Sequence, residues 1–252
     1  MLRLLVAVAL CACASVPRAE PLVAAASDLQ FALEEIVAEY RRESGRDVRV
    51  SYGSSGNFTR QIAQGAPYEL FLSADEAYVE QLVARKLTRG TGARYSTGRL
   101  ALYAPMGSPL GRPPGLDVLG ERARAGVLGR FAIANPEHAP YGRAAAETLR
   151  HLGLWDAVRP RLVIGENAAQ AARYASGGDA EGGLVALSLA LGPELAARGT
   201  HTVIPESWHA PLHQRMVLLA NASPEAEQFY RYVLGPESRA VLARRGFQLP
   251  AD

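Results

Sequence analysis

From Leu22 to Leu87 short apolar runs alternate with amphipathic stretches, and this rhythm restricts the possible folds more than any other feature. Leu22 to Ala26 reads as a strand. Leu29 to Arg42 reads as a helix: Leu29, Ala32, Leu33, Ile36, Val37 and Tyr40 recur at helical spacing with acids on the other face, and Gly45 ends it. Val48 to Gly53 is a strand, and Phe58 to Ala63 begins a helix stopped by Gly65-Ala66-Pro67. Glu69 to Ala74 is a strand ending at Asp75, and Glu76 to Leu87 is a helix with Tyr78, Leu82 and Val83 facing inward. The order βαβαβα predicts a parallel sheet covered by helices.

The rhythm changes after that. Leu100 to Ala104 is a strand followed by a loop rich in Pro and Gly, Gly107 to Gly115. A second α/β unit follows: a helix over Asp117 to Gly126, a strand over Phe131 to Ala134, a turn-rich loop from Asn135 to Gly142 and a helix over Arg143 to Leu152. Leu162 to Ile164 and His201 to Pro205 are strands, Ala168 to Ala175 a helix, and Gly182 to Ala190 a strand apolar enough to be buried on both faces. Pro211 to Ala220 is a strand predicted to return to the first unit, closed by helices over Pro224 to Val233 and Glu237 to Arg245. Ser223-Pro224-Glu225 opens the first of these as N-cap, Pro and first-turn acid. Two lobes are therefore expected, residues 20–99 with 208–252 and residues 100–207. A chain that leaves one lobe and returns makes a double hinge, and a cleft between lobes suits a small ligand.

The 252 residues are 48% hydrophobic and 21% charged, which suits a globular chain, and a net charge of +2 gives no argument for nucleic-acid or membrane binding. Basic residues are Arg apart from Lys86, which reads as genome bias. Residues 1–19 read as an export signal: Arg3, the apolar run Leu4 to Leu10, and Ala12-Cys13-Ala14 as a cleavage site, with cleavage after Ala19 as an alternative. Both cysteines, Cys11 and Cys13, fall in this segment, which fits a bacterial periplasm. Leu10-Cys11-Ala12-Cys13 is also a poor lipoprotein signal, with Cys13 as the anchor.

Two strands end in the same way. Val23-Ala24-Ala25-Ala26 runs into Ser27-Asp28-Leu29, and Val48-Arg49-Val50 runs into Ser51-Tyr52-Gly53-Ser54-Ser55-Gly56. Ser27 alone reads as an ordinary N-cap. Paired in a parallel sheet, the two ends would converge on one ligand. Pro140-Tyr141-Gly142 and Glu166-Asn167-Ala168 lie at two further strand-to-helix junctions. The four loops offer hydroxyls and unpaired helix N–H groups but no Lys or Arg, which suits a fully ionised oxyanion held by neutral donors and helix dipoles.

Ala24-Ala25-Ala26-Ser27-Asp28-Leu29, Gly53-Ser54-Ser55-Gly56, Arg60-Gln61-Ile62, Gly65-Ala66-Pro67, Leu70-Phe71-Leu72-Ser73-Ala74-Asp75, Asn135-Pro136-Glu137-His138-Ala139-Pro140-Tyr141-Gly142 and Gly183-Leu184-Val185-Ala186-Leu187-Ser188 occur in order across the mature chain. Together they resemble the periplasmic molybdate-binding proteins of ABC transporters. The resemblance implies an α/β, two-lobed type II periplasmic-binding-protein fold, each lobe a mostly parallel sheet flanked by helices, with the ligand in the cleft between them. It implies molybdate, and with it tungstate, as ligand, no cofactor, delivery to a membrane permease, a monomer and no enzymatic activity. It places Ser27 and Ser55 as hydroxyl and amide donors, Asp28 as an amide donor with its carboxylate turned away, and Tyr141 and Ala168 as amide donors from the second lobe. Two departures stand out. Ala186 occupies a position where some members carry a ligand-facing Tyr, a contact Tyr141 could replace, and a carboxylate at Asp28 suits a protonated ligand such as hydrogen phosphate.

The same donors fit sulfate or phosphate. A serine hydrolase needs a nucleophile, base and acid in reach, yet no G-x-S-x-G elbow occurs and Ser54-Ser55 lies far from every His in sequence. Asp75 reads as a helix cap, His138 as a loop residue, Tyr141 otherwise as a surface aromatic, and Trp155 and Trp208 as packing. His201, His209 and His213 cluster only in one dimension.

Overall fold

The computed structural model describes residues 20–250. The export signal, its cleavage site and the candidate anchor Cys13 lie outside the described residues. Two five-stranded sheets form two lobes, each flanked by helices.

The first sheet holds β1 (Leu22–Ala26), β2 (Arg49–Gly53), β3 (Leu70–Ser73) and β4 (Ala93–Gly98), with β10 (Leu212–Leu218) inserted, in the order β2-β1-β3-β10-β4. The second holds β5 (Leu100–Pro105), β6 (Phe131–Ala134), β7 (Leu162–Gly165), β8 (Gly182–Ala186) and β9 (Gly199–Val203), in the order β7-β6-β8-β5-β9. The two orders are equivalent. In each sheet three strands pair in parallel, and the strand that has just crossed from the other lobe lies antiparallel between the third and the last. The crossings are short: Arg99 alone separates β4 from β5, and residues 204–211 separate β9 from β10.

In the first lobe α1 (Gln30–Ser44) buries Ala32, Leu33, Ile36 and Tyr40 against the sheet and ends at Gly45 with φ +66°, a left-handed cap that glycine adopts without penalty. The closing helices α10 (Pro224–Val233) and α11 (Pro236–Arg244) share that face, and the Tyr40 ring meets Phe229 edge-on at 5.1 Å. The opposite face carries α2 (Ser55–Ala63) and α3 (Glu76–Ala84), with Phe58, Phe71, Val79 and Leu82 buried together. The second lobe carries α4 (Leu116–Arg124), α5 (Pro140–His151), α6 (Trp155–Val158), α7 (Ala168–Ser176), α8 (Leu187–Ala190) and α9 (Pro193–Arg198) around one core. Ala26 and Ala74 of the first lobe join that core at the junction.

Five expectations are corrected. The stretch Ala93–Gly98 is a strand that the sequence reading left out, because it has no apolar run and gains its place by pairing with β10. The apolar run predicted as one strand to Ala190 is a strand only to Ala186 and then the helix α8; an all-apolar run carries no period to separate the two. The loop predicted to end at Gly142 gives way to α5 at Pro140, which takes the first helical position. Ser27 is not an α-helical N-cap. It opens a 3-10 turn, Ser27–Leu29, and its hydroxyl bonds elsewhere. In α3 the deeply buried pair is Val79 and Leu82, with Tyr78 and Val83 only partly covered.

Candidate functional site

The ends of β1, β2 and β3 in one lobe face the starts of α5 and α7 in the other. Between them lies a small cavity of about 10 Å³ lined by Ala26, Ser27, Asp28, Gly53, Ser54, Ser55, Ala74, Ala139, Pro140, Tyr141 and Ala168. All five residues singled out from the sequence, Ser27, Asp28, Ser55, Tyr141 and Ala168, line this one space. No Lys or Arg lines it. A roomier groove bordered by Glu20, Tyr40, Arg41, Arg46, Asp47 and Glu225 lies at the far end of α1, away from every strand end that points into the cleft.

Local sequence explains the convergence. Ser54 caps α2 by accepting from the Asn57 N–H at 3.4 Å, and Asn167 caps α7 by accepting from the Gln170 N–H at 3.0 Å. These caps fix where the helices begin, at Ser55 and Ala168, and leave first-turn N–H groups without intrahelical partners. Tyr141 follows the N1 proline of α5 in the same way. Ser55 Oγ accepts from the Ala74 N–H at 3.0 Å, which leaves its own proton for another acceptor. Ser27 Oγ accepts from the Ala169 N–H at 3.1 Å and lies 3.2 Å from Asn167 Oδ1, so it already bridges the two lobes.

The lobes clasp one another around the cavity. Gly56 donates its N–H to the His138 carbonyl at 2.9 Å, Ser188 Oγ donates to the Asp28 carbonyl at 2.7 Å, and Arg143 pairs with Asp75. Asp75 also caps α3 through the Ala77 N–H at 2.9 Å. His138, which the sequence left as a loop residue, sits with Nδ1 3.0 Å from Ser54 Oγ and Nε2 3.5 Å from Glu166 Oε1. Folding thus closes the sequence gap between Ser54 and a histidine. Trp155 lies under the Arg150 guanidinium at 4.6 Å, and Trp208 stacks on His151. Of the other histidines, His213 meets Thr97 and His209 bonds the neighbouring Ala210 carbonyl.

Behind the cavity is a polar network that sequence reasoning missed. Gln214, on β10 and fully buried, donates to Asp28 Oδ2 at 2.6 Å and to the Tyr141 hydroxyl at 3.4 Å. Its carbonyl accepts from the Tyr95 hydroxyl at 2.8 Å and from Ser96 Oγ at 3.2 Å. The signal was present: Gln214 shares the inward phase of Leu212 and Met216, where a polar side chain needs a buried partner. Tyr141 is 2% exposed, so it is no surface aromatic, and its ring reaches across the lobe boundary toward Gly98 and Gln214.

The chain matches the bacterial extracellular solute-binding protein family over residues 21–248. It belongs to that family. The binding protein is 33% identical to the molybdate-binding protein ModA of Azotobacter vinelandii, over 95% of this chain and 94% of that relative. It is 31% identical to the ModA of Escherichia coli strain K12, over 90% of this chain and 88% of the relative. Among solved structures, the Azotobacter vinelandii periplasmic molybdate-binding protein superposes with a TM-score of 0.83 at 30% identity, covering 92% of this chain and all of that one. The sulfate-binding protein SubI of Mycobacterium tuberculosis superposes with a TM-score of 0.74 at 16% identity, covering 92% and 87%, a likeness of fold alone.

Within the binding protein's cleft, Asp28 carries the clearest electrostatic signature. Burial pushes its carboxyl up to about 6, and the bond from Gln214, the Tyr141 hydroxyl and nearby main-chain N–H groups only temper the rise. Burial, and then the Asp28 charge, push the Tyr141 and Tyr95 hydroxyls well up as well. A carboxyl raised on folding keeps its proton in the folded state where the unfolded chain has lost it. Stability therefore falls as pH rises from about 4 to about 6 and stays lower above that window. Asp28→Asn is expected to leave ligand-free stability unchanged near pH 4 and to raise it by about 3 kcal/mol near pH 8, read by chemical denaturation at the two pH values.

Proposed function

We propose that this protein captures molybdate, and with it tungstate, in the periplasm and hands it to the membrane permease of an ABC transporter. The observation that carries the reading is the meeting of four helix starts and two serine hydroxyls, with no cationic side chain, around one small cavity. A doubly charged ion out of water needs every oxygen hydrogen-bonded. Ser55 offers hydroxyl and amide, Ser27 its amide and, turned from Asn167 Oδ1, its hydroxyl, Asp28 its amide, and Tyr141 and Ala168 their amides from the facing lobe. Helix N-termini add partial positive charge without a counter-ion. The identities to molybdate-binding proteins support the choice of ion over sulfate, since the donors alone suit any tetrahedral oxyanion.

In this reading the open protein takes the ion on Ser27 and Ser55, and closure about Arg99 and residues 204–211 brings Tyr141 and Ala168 onto it. Small-angle scattering with and without molybdate is expected to show compaction. Calorimetry with molybdate, tungstate, sulfate and phosphate tests the ligand; sulfate binding more tightly than molybdate would sink the assignment. Ser55→Ala removes a hydroxyl donor to a charged group and is expected to weaken binding by about ten- to a hundredfold.

One observation favours a second reading, an esterase-like activity: Ser54, His138 and Glu166 stand in a row. Against it, the Ser54 hydroxyl is buried and engaged as the α2 cap, and the three residues come from both lobes, as a clasp would. Turnover of an activated ester by the wild type that Ser54→Ala abolishes would support the second reading.

A further inference from the structure

Asp28 is an anomaly in an anion site. The residue is 1% exposed and borders the same cavity as the donors, with its carboxyl buried directly behind it. One carboxylate oxygen is held by Gln214, while Oδ1 is buried without a well-formed hydrogen bond, the Tyr141 hydroxyl and the local main-chain N–H groups lying near the carboxyl. Among the described residues no Lys or Arg pairs with it. The groups packed around it are the Gln214 amide from β10, the hydroxyls of Tyr95 from β4 and Tyr141 from α5, Ser188 from α8, and the uncharged start of α7. Charged side chains at the lobe boundary are paired with one another: Arg143 with Asp75, and Glu166 beside His138.

A buried carboxylate directly behind the cavity and a dianion within it repel strongly, because the low-dielectric interior screens like charges poorly. A fully ionised oxyanion brings no proton to relieve this. We propose that Asp28 takes up one proton from solvent when the dianion binds, so that the closed complex holds a neutral carboxyl whose O–H can serve as a further donor. The inference rests on the proposed oxyanion function. The step balances: free dianion, carboxylate and one proton give a complex with the proton on Asp28 and no change in the ion. Asp28 thereby makes capture depend on pH, which the other donors, being amides and hydroxyls, do not. The raised carboxyl of the ligand-free protein points the same way, since it is already close to holding a proton near neutrality.

The test is calorimetry of the mature protein with molybdate at one pH in buffers of different ionisation enthalpy, repeated between about pH 7 and 9. The expected result is uptake of close to one proton and an affinity that falls toward tenfold per pH unit. Asp28→Asn is expected to bind with no proton uptake and no pH slope. Molybdate binding with no buffer dependence in the wild type would overturn the inference and leave the oxyanion function standing. Proton uptake that persists in Asp28→Asn would move the proton to another group, such as His138, and overturn the assignment to Asp28. No heat from molybdate or tungstate at any pH would overturn the oxyanion function first, and this inference with it. Should Asp28→Asn fail to fold, Asp28→Ser takes its place, with the same expected loss of proton uptake and of pH slope.

Discussion

Gly56→Val is expected to weaken molybdate binding by about a thousandfold while the ligand-free protein melts almost as the wild type does. A Cβ at Gly56 would stand 2.8 Å from the His138 carbonyl oxygen, 2.9 Å from its Cβ and 3.0 Å from its Cα. The first and last of these are main-chain atoms, which a rotamer change cannot move aside. Gly56 belongs to α2 and His138 to the segment before α5, so the conflict lies across the lobe boundary and opening the cleft relieves it. The folded lobes stay intact, but Tyr141 and Ala168 no longer reach the ion. Two charge-assisted bonds at about 1.5–3 kcal/mol each amount to roughly two to four orders of magnitude in affinity. Calorimetry reads the loss, and scattering should show a variant that no longer compacts with molybdate. Wild-type affinity in Gly56→Val would mean that closure at this contact is not needed for binding.

The second large effect is on the fold. Gln214→Leu keeps the volume of the side chain but removes every hydrogen bond it makes. Asp28 Oδ2 loses its 2.6 Å donor, and Tyr95 and Ser96 lose their common acceptor, all of them buried. Unsatisfied buried groups of this kind cost about 1–3 kcal/mol each, and stripping a buried charge of its partner about 3–5 kcal/mol. Gln214→Leu is therefore expected to lower stability by about 3–5 kcal/mol in urea titration near pH 8. The sign with pH follows from Asp28. Without the Gln214 amide its carboxyl rises further, the folded state holds its proton to higher pH, and the deficit shrinks as pH falls toward about 5. Combining Gln214→Leu with Asp28→Asn should recover part of the loss, because the two residues share one hydrogen bond and are not additive. An equal deficit at pH 5 and pH 8 would place the damage in packing and not in the carboxyl.

The two effects separate what Asp28 and its neighbours do. In the proposed reading the front of the site meets the ion through main-chain N–H groups and serine hydroxyls, so single side-chain changes there are expected to act moderately. The back of the site, on β4 and β10, is a closed polar network in which each member depends on the others. Tyr141 belongs to both, with its amide at the start of α5 and its hydroxyl against Gln214.

Much of this molecule follows from local patterns. Helical spacing at Leu29, Leu33, Ile36 and Tyr40, the αL stop at Gly45 and the cap at Ser223 are short-range effects, legible because a helix or turn forms from residues within one or two turns of each other. The strand-to-helix junctions at Ser27, Ser55, Tyr141 and Ala168 were legible for the same reason, since caps and small residues mark them in the chain itself. β4 was not, because an edge strand without an apolar run is specified by its partner. The helical turn of α8 was not, because its residues are apolar on every side.

What the sequence by itself determined is the set of helix starts, hydroxyls and apolar strands, and the α/β alternation that puts those starts at one edge of each sheet. Tertiary structure alone decided that the two edges face each other. It alone set Ser54 against His138, drove Tyr141 through to the other lobe, and left Asp28 buried beside Gln214, 186 positions away. The physical reason is that capping and periodicity act over a few residues, whereas desolvation of a carboxyl depends on everything that packs around it, and that is fixed only when the whole chain has folded.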